Sequence, residues 1–209
     1  MTTVENPWLE AVAVPGGTAQ VSKFLNTSFY VSAAYVRNVW SDWSAVERLT
    51  FAAAFAARPQ LNDQDQQILD FIIDEGDASI WNALALLVAQ HQSQPTALNF
   101  LLRRVSEGVE GNLANYYQAL TKIRSPECVP ILRKALLRHR QEMDSRPTLT
   151  SWDDRFVYLN YLACSAALSV ITGKVEYRHN LTELLQHSDE SVRKMVRMVA
   201  STQGVEGVS

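Results

Sequence analysis

Cysteine is nearly absent: Cys128 and Cys164 are the only two in 209 residues, and they stand outside any metal or redox spacing. That excludes a disulfide framework and points to two buried thiols acting as small hydrophobes. The opening stretch MTTVENPWLEAVAV has neither a basic leader nor a long apolar run, so it does not read as a signal peptide. The longest uncharged apolar run, residues 156–171, falls short of the roughly 20 residues that span a bilayer. Apolar on nearly every side of a helical projection, it reads as a core helix covered by several neighbours. No Ser/His/Asp grouping, phosphate-cradling glycine loop or zinc spacing is found, and no cofactor or metal is called for. Lysine and arginine are missing from residues 59–102, where Asp63, Asp65, Asp70, Asp74, Glu75 and Asp77 gather. Residues 101–150 reverse the sign, with nine basic side chains against five acidic. A net charge of −3 argues against a nucleic-acid protein, and the cytoplasm is the expected compartment.

What is present is helical periodicity. In NYYQALTKIRSPECVPILRKALLRHR, residues 115–140, Tyr117, Leu120 and Ile123 fall three apart. Ser125 and Pro126 then supply a capping oxygen and a ring preset for the first turn. Val129, Leu132, Leu136 and Met143 continue as a second stripe. Two such helices joined by a short turn are expected to fold back as an antiparallel pair, around which the chain is organised.

Residues 1–17 read as an irregular lead-in closed by Pro15, Gly16 and Gly17. Phe29, Ala33, Val36, Trp40 and Trp43 recur at helical spacing, as an aromatic cap or, for Trp40 and Trp43, as an anchor for a partner. Ser44 with Glu47 is a capping-box spacing, opening a helix with Val46, Leu49, Ala53 and Ala56 on one stripe and Phe51 and Phe55 on another. Asp63, Asp77 and Asp189 are candidate caps of later helices; Gly76, Gly108 and Gly173 are candidate stops. The expected organisation is a lead-in and aromatic capping helix over 1–43, a repeat domain over 44–203, and a disordered tail over 204–209.

Helix pairs begin near Ser44, Asp77 and Gly111, a period of 33 to 34 residues that marks a stacked array. Here a family resemblance enters. KIRSPECVPILRKALL (122–137) and LLQHSDESVRKMVRMVA (184–200) resemble the repeats of bacterial HEAT-like (armadillo-type) proteins, including the phycobilisome-lyase type. The resemblance implies an all-α, right-handed superhelical solenoid of four to five helix pairs. Asp189 and Arg193 fit its pattern as a structural pair four residues apart.

Enzymes with HEAT-like folds supply residue tests. Deoxyhypusine hydroxylase uses His-Glu dipeptides, and none of His91, His139, His179 and His187 is followed by Glu. Glu176, His179, Glu183 and His187 recur at helical spacing without the second copy that a ferritin-like site needs, and read as solvated surface. Alkylpurine DNA glycosylases use Trp, Asp and Arg on a basic concave face. Trp152, Asp153, Asp154 and Arg155 match in type, but their adjacency points them in different directions around a helix start. The chain is therefore expected to be a non-catalytic scaffold binding another protein, away from membranes, with Trp40, Trp43, Arg133 and Arg140 as candidate contacts. Its alternatives are a nucleic-acid-binding or base-modifying enzyme of the glycosylase type, and a chaperone-like or lyase module for a cofactor-carrying protein.

Overall fold

Local capping chemistry sets where the helices start. In the computed structural model, which describes residues 31–58, 60–108, 111–146 and 149–208, ten α-helices and no strand occur among the described residues. They are α1 (Ala33–Val39), α2 (Ala45–Ala56), α3 (Asp63–Glu75), α4 (Ala78–His91), α5 (Gln94–Glu107), α6 (Ala114–Ile123), α7 (Val129–Asp144), α8 (Trp152–Thr172), α9 (Val175–Leu184) and α10 (Glu190–Gln203). The protein is all-α over these residues. The lead-in with its turn at 15–17, and Phe29, lie outside them.

The capping box of α2 forms as the spacing predicts: the Ser44 hydroxyl accepts from the Glu47 N–H, and the Glu47 carboxylate accepts from the Ser44 N–H. Asp77 and Asp189 likewise accept from first-turn N–H groups of α4 and α10. Asp63 does not cap α3. Asn62 does, accepting from Gln64 and Asp65, while the Asp65 carboxylate accepts from the Asn62 N–H in a capping box set one residue earlier. Arg193 also differs from expectation. It donates to the His187 and Ser188 carbonyls at 2.5 and 2.9 Å rather than pairing with Asp189.

The chain divides into two units, Met1–His91 and Gln92–Ser209. In the first, α2 packs on α4, α1 on α3, and α3 on α4. The expected boundary at 43/44 falls inside this unit, where the Gln64 side chain accepts from the Ala33 N–H. The inward face of α2 is Phe51, Ala52, Ala54 and Phe55; Val46, on the stripe expected to be buried, is 65% exposed. Aromatic bulk decides between the two stripes, because Phe51 and Phe55 remove far more apolar surface from water than Val46 and the alanines would.

In the second unit α8 is the hub. It packs against α6, α7, α9 and α10, and α5 packs on α6 and α7. The helix runs 21 residues, longer than its uncharged stretch, because Ser151 and Asp154 form a capping box ahead of it and Gly173 stops it at φ +68°. Its length and a mean hydropathy of 1.2 over its best window would suit a membrane span. Four packed neighbours, and burial of 67% of that window, account for the same composition in a core helix. The organising element is thus α8, and the 115–140 stretch wraps it. On α7 the buried stripe is Leu132, Ala135, His139 and Met143, so a histidine sits among the apolar positions. Nor does the chain fall loose after α10: the Val205 N–H returns to the Ala200 carbonyl at 2.9 Å, and Val205 is buried.

Candidate functional site

The candidate contacts named from sequence are placed apart. Trp40 and Trp43 are each 4% exposed, their ring centroids 5.8 Å apart, against Phe51 and, for Trp40, Phe71. As core of the first unit, neither ring is available as an exposed anchor. Arg133 and Arg140 lie two turns apart on the α9 side of α7. Arg133 donates to the Tyr177 hydroxyl of α9 at 2.8 Å. Arg140 donates to Asp144 and to the Tyr161 hydroxyl of α8, and reaches Glu183 of α9 at 3.8 Å. Both therefore tie helices together.

Glu176, His179, Glu183 and His187 do not converge. Glu176 lies 3.7 Å from Lys174, and His187, beyond the end of α9, accepts from the Asp189 N–H through Nδ1. Among the described residues, no group of three His, Cys, Asp or Glu side chains is placed to hold a metal ion. Cys128 and Cys164 are both buried. Their thiols donate to the Ser125 and Leu132 carbonyls, and burial pushes both above the ordinary thiol range. Buried thiols of this kind are ordinarily unreactive.

The feature that gathers chemistry lies elsewhere in the second unit: a cleft of about 330 Å³ between α7 and the first turns of α8. Arg138, Glu142 and Arg146 line one wall, and Asp153, Phe156 and Val157 the other. Gly108 and Gly111 also line it. Gly108 closes α5 at φ +65°, the left-handed conformation that favours glycine, with the movable end of the Arg138 side chain beside it. Asn160 fastens residues 111–113 to α8: its Oδ1 accepts from the Leu113 N–H and its Nδ2 donates to the Gly111 carbonyl, both at 2.7 Å.

Behind the Arg138 wall runs a buried relay. His139, 2% exposed, meets the Tyr117 hydroxyl of α6 through Nε2 at 2.6 Å and Glu142 through Nδ1 at 3.2 Å. Burial holds the Tyr117 phenol well above its ordinary value, so it keeps its proton and donates. Burial also lowers the His139 pKa, against the opposing pull of Glu142. The imidazole is then neutral, with its proton on Nδ1 facing Glu142 and Nε2 accepting. The relay thereby holds the Glu142 side chain at the cleft wall.

The two cleft arginines differ from Arg133 and Arg140 in what they hold. Arg138 has the Val105 carbonyl at 3.4 Å and Glu142 at 4.0 Å; Arg146 has Asp154 at 3.5 Å. Asp154 is itself satisfied by the Thr150 N–H and hydroxyl and the Ser151 N–H at 2.8–2.9 Å. Those donors, the Thr150 hydroxyl first, hold its carboxyl down at about 2. Both guanidinium groups stay partly exposed at the cleft wall, at 35% and 47%.

Around the N-terminus of α8 lies a second cavity of about 270 Å³, lined by Trp152 and Arg155. Trp152 is 70% exposed, with the Arg155 guanidinium 4.8 Å from its ring centroid. The Trp, Asp and Arg of the 152–155 stretch are thus divided: Asp153 faces the first cleft, Trp152 and Arg155 the second, and Asp154 is a buried cap. Of the groups that form the cleft, Arg138, Glu142 and Arg146 carried a readable signal, like-faced spacing of four; the Asn160 bridge, 47 and 49 residues long in sequence, carried none. No family model, curated protein or solved structure matches this chain.

Proposed function

We propose that the chain is a HEAT-like helical-repeat scaffold that binds another protein without catalysis, and that the α7–α8 cleft is its contact surface. The observation that carries this reading is the cleft wall itself. Two partly exposed arginines flank Glu142, opposite a wall made of Asp153, Phe156 and Val157. Such mixed polar and apolar composition suits a polypeptide. The lateral packing of α6 on α8 and of α8 on α10 supports a repeat stack within the second unit, its right hand resting on the sequence resemblance alone. Affinity capture of the full chain from its own cells tests the function. A protein retained by the wild type and lost with both Arg138→Glu and Phe156→Asp, each shown folded by circular dichroism, supports it. A retained set that neither substitution changes refutes it.

A nucleic-acid role is the second reading, favoured by one observation, the exposed Trp152 with Arg155 stacked on it. Against it stand Glu142 and Asp153 in the adjoining cleft, which repel a phosphate chain. No binding of random duplex or single-stranded DNA tighter than about 10 µM is expected at physiological salt. Submicromolar binding in an anisotropy titration would replace the scaffold reading.

A further inference from the structure

The charged wall of the cleft has a definite order. Arg138, Glu142 and Arg146 follow at intervals of four along α7 and the turn that ends it, giving a plus, minus, plus row. At about 1.5 Å per helical residue, the backbone positions of the outer two lie roughly 12 Å apart along the axis. An extended peptide advances about 3.3 Å per residue and turns alternate side chains to the same side, so its residues i and i+4 span about 13 Å on one face. Resting on the scaffold reading, we infer that the cleft takes an extended segment with acidic residues at i and i+4, a basic residue at i+2, and apolar residues at i+1 and i+3.

Each position has a counterpart. The two carboxylates meet the partly exposed arginines, whose planar forks suit bidentate bonding to a carboxylate. The cation at i+2 meets Glu142, which His139 holds in place. The two apolar side chains, pointing the other way, lie against Phe156 and Val157. A uniformly acidic segment fits less well, because Glu142 within the row and Asp153 opposite would both repel it. The same repulsion disfavours a nucleic-acid strand.

The test is a fluorescence-anisotropy titration of the full chain with a labelled peptide containing Glu-Leu-Lys-Leu-Glu. Its register scramble, Glu-Leu-Glu-Leu-Lys, has the same composition and net charge. Saturable binding of the first, weakened about tenfold or more in the scramble and again by Arg138→Glu or Arg146→Glu, supports the inference. Each variant is first shown by circular dichroism to keep the wild-type helix content and melting transition. A charge-reversed variant, Arg138→Glu with Glu142→Lys and Arg146→Glu, should in turn prefer Lys-Leu-Glu-Leu-Lys. Equal binding of peptide and scramble overturns the inference, as does no saturable binding of either or displacement by a single-stranded oligonucleotide. The scaffold reading fails separately: peptide failure alongside a native partner lost with Arg138→Glu and Phe156→Asp rejects only this segment chemistry.

Discussion

Asn160 is the side chain whose removal should reveal how the cleft is built. It joins α8 to the chain between α5 and α6 through two hydrogen bonds of 2.7 Å, one from the Leu113 N–H and one to the Gly111 carbonyl. Asn160→Ala strands both. The Leu113 N–H is buried, and an unsatisfied buried donor costs about 1–3 kcal/mol; the Gly111 carbonyl is only partly buried and recovers part of its loss from water. Together they set an expected loss of about 2–4 kcal/mol in unfolding free energy, large against ordinary substitutions. Asn160→Asp separates the two bonds. The acceptor for Leu113 is kept, but a carboxylate oxygen now faces the Gly111 carbonyl unless it carries a proton. The folded state therefore raises the pKa of the new carboxyl above its ordinary value of about 3.9. Relative to wild type the deficit should be smallest in acid and grow as pH rises through that raised value. Urea unfolding followed by far-UV circular dichroism over an acidic-to-neutral series measures both effects. A loss below about 0.5 kcal/mol for Asn160→Ala, or an aspartate deficit that shrinks as pH rises, would refute the reasoning.

Three further outcomes are expected. Ala163→Glu, at a fully buried position on α8, should destabilise by roughly 3 kcal/mol or more, and an unchanged melting temperature would show that face to be uncovered. Cys128 and Cys164 should resist a thiol reagent in the native protein and react only on denaturation; stoichiometric labelling without denaturant would contradict their burial. The depressed Asp154 carboxyl contributes stability that is present above the ordinary carboxylate value and is lost as pH falls toward about 2. Asp154→Asn should accordingly melt below wild type at neutral pH, with the gap closing in acid; a gap that holds constant would remove the carboxylate from the account.

Helices were legible in this sequence wherever local chemistry decides them. Ser44 with Glu47, Asp77, Asp189 and Gly173 act within one turn of themselves, and each does what its spacing implies. Which side of a helix turns inward was harder to read. On α2 both stripes were visible, and the choice of Phe51 and Phe55 over Val46 depended on partners contributed by other helices. On α7 the inward stripe includes His139, a residue that looks polar until Tyr117 and Glu142 supply its two partners. The arginines carried the same ambiguity. Arg133 and Arg140 were the sequence candidates, yet they hold tyrosines of α9 and α8, and Arg138 and Arg146 are the ones that line the cleft. Helical spacing sorts side chains into faces but does not say which face meets a neighbour.

The position of α8 in the chain has a consequence for synthesis. The helices that must cover it, α6 and α7, are made first, and their apolar faces have no hub until Thr172 has been added. At about 5–20 residues per second, the roughly 60 residues from the start of α6 to the end of α8 take about 3–12 s. During that interval the faces of α6 and α7 that α8 covers are exposed on a growing chain. A nascent chain arrested before Thr172 should therefore be protease-sensitive and recruit chaperones, whereas one released after Val205 should be resistant.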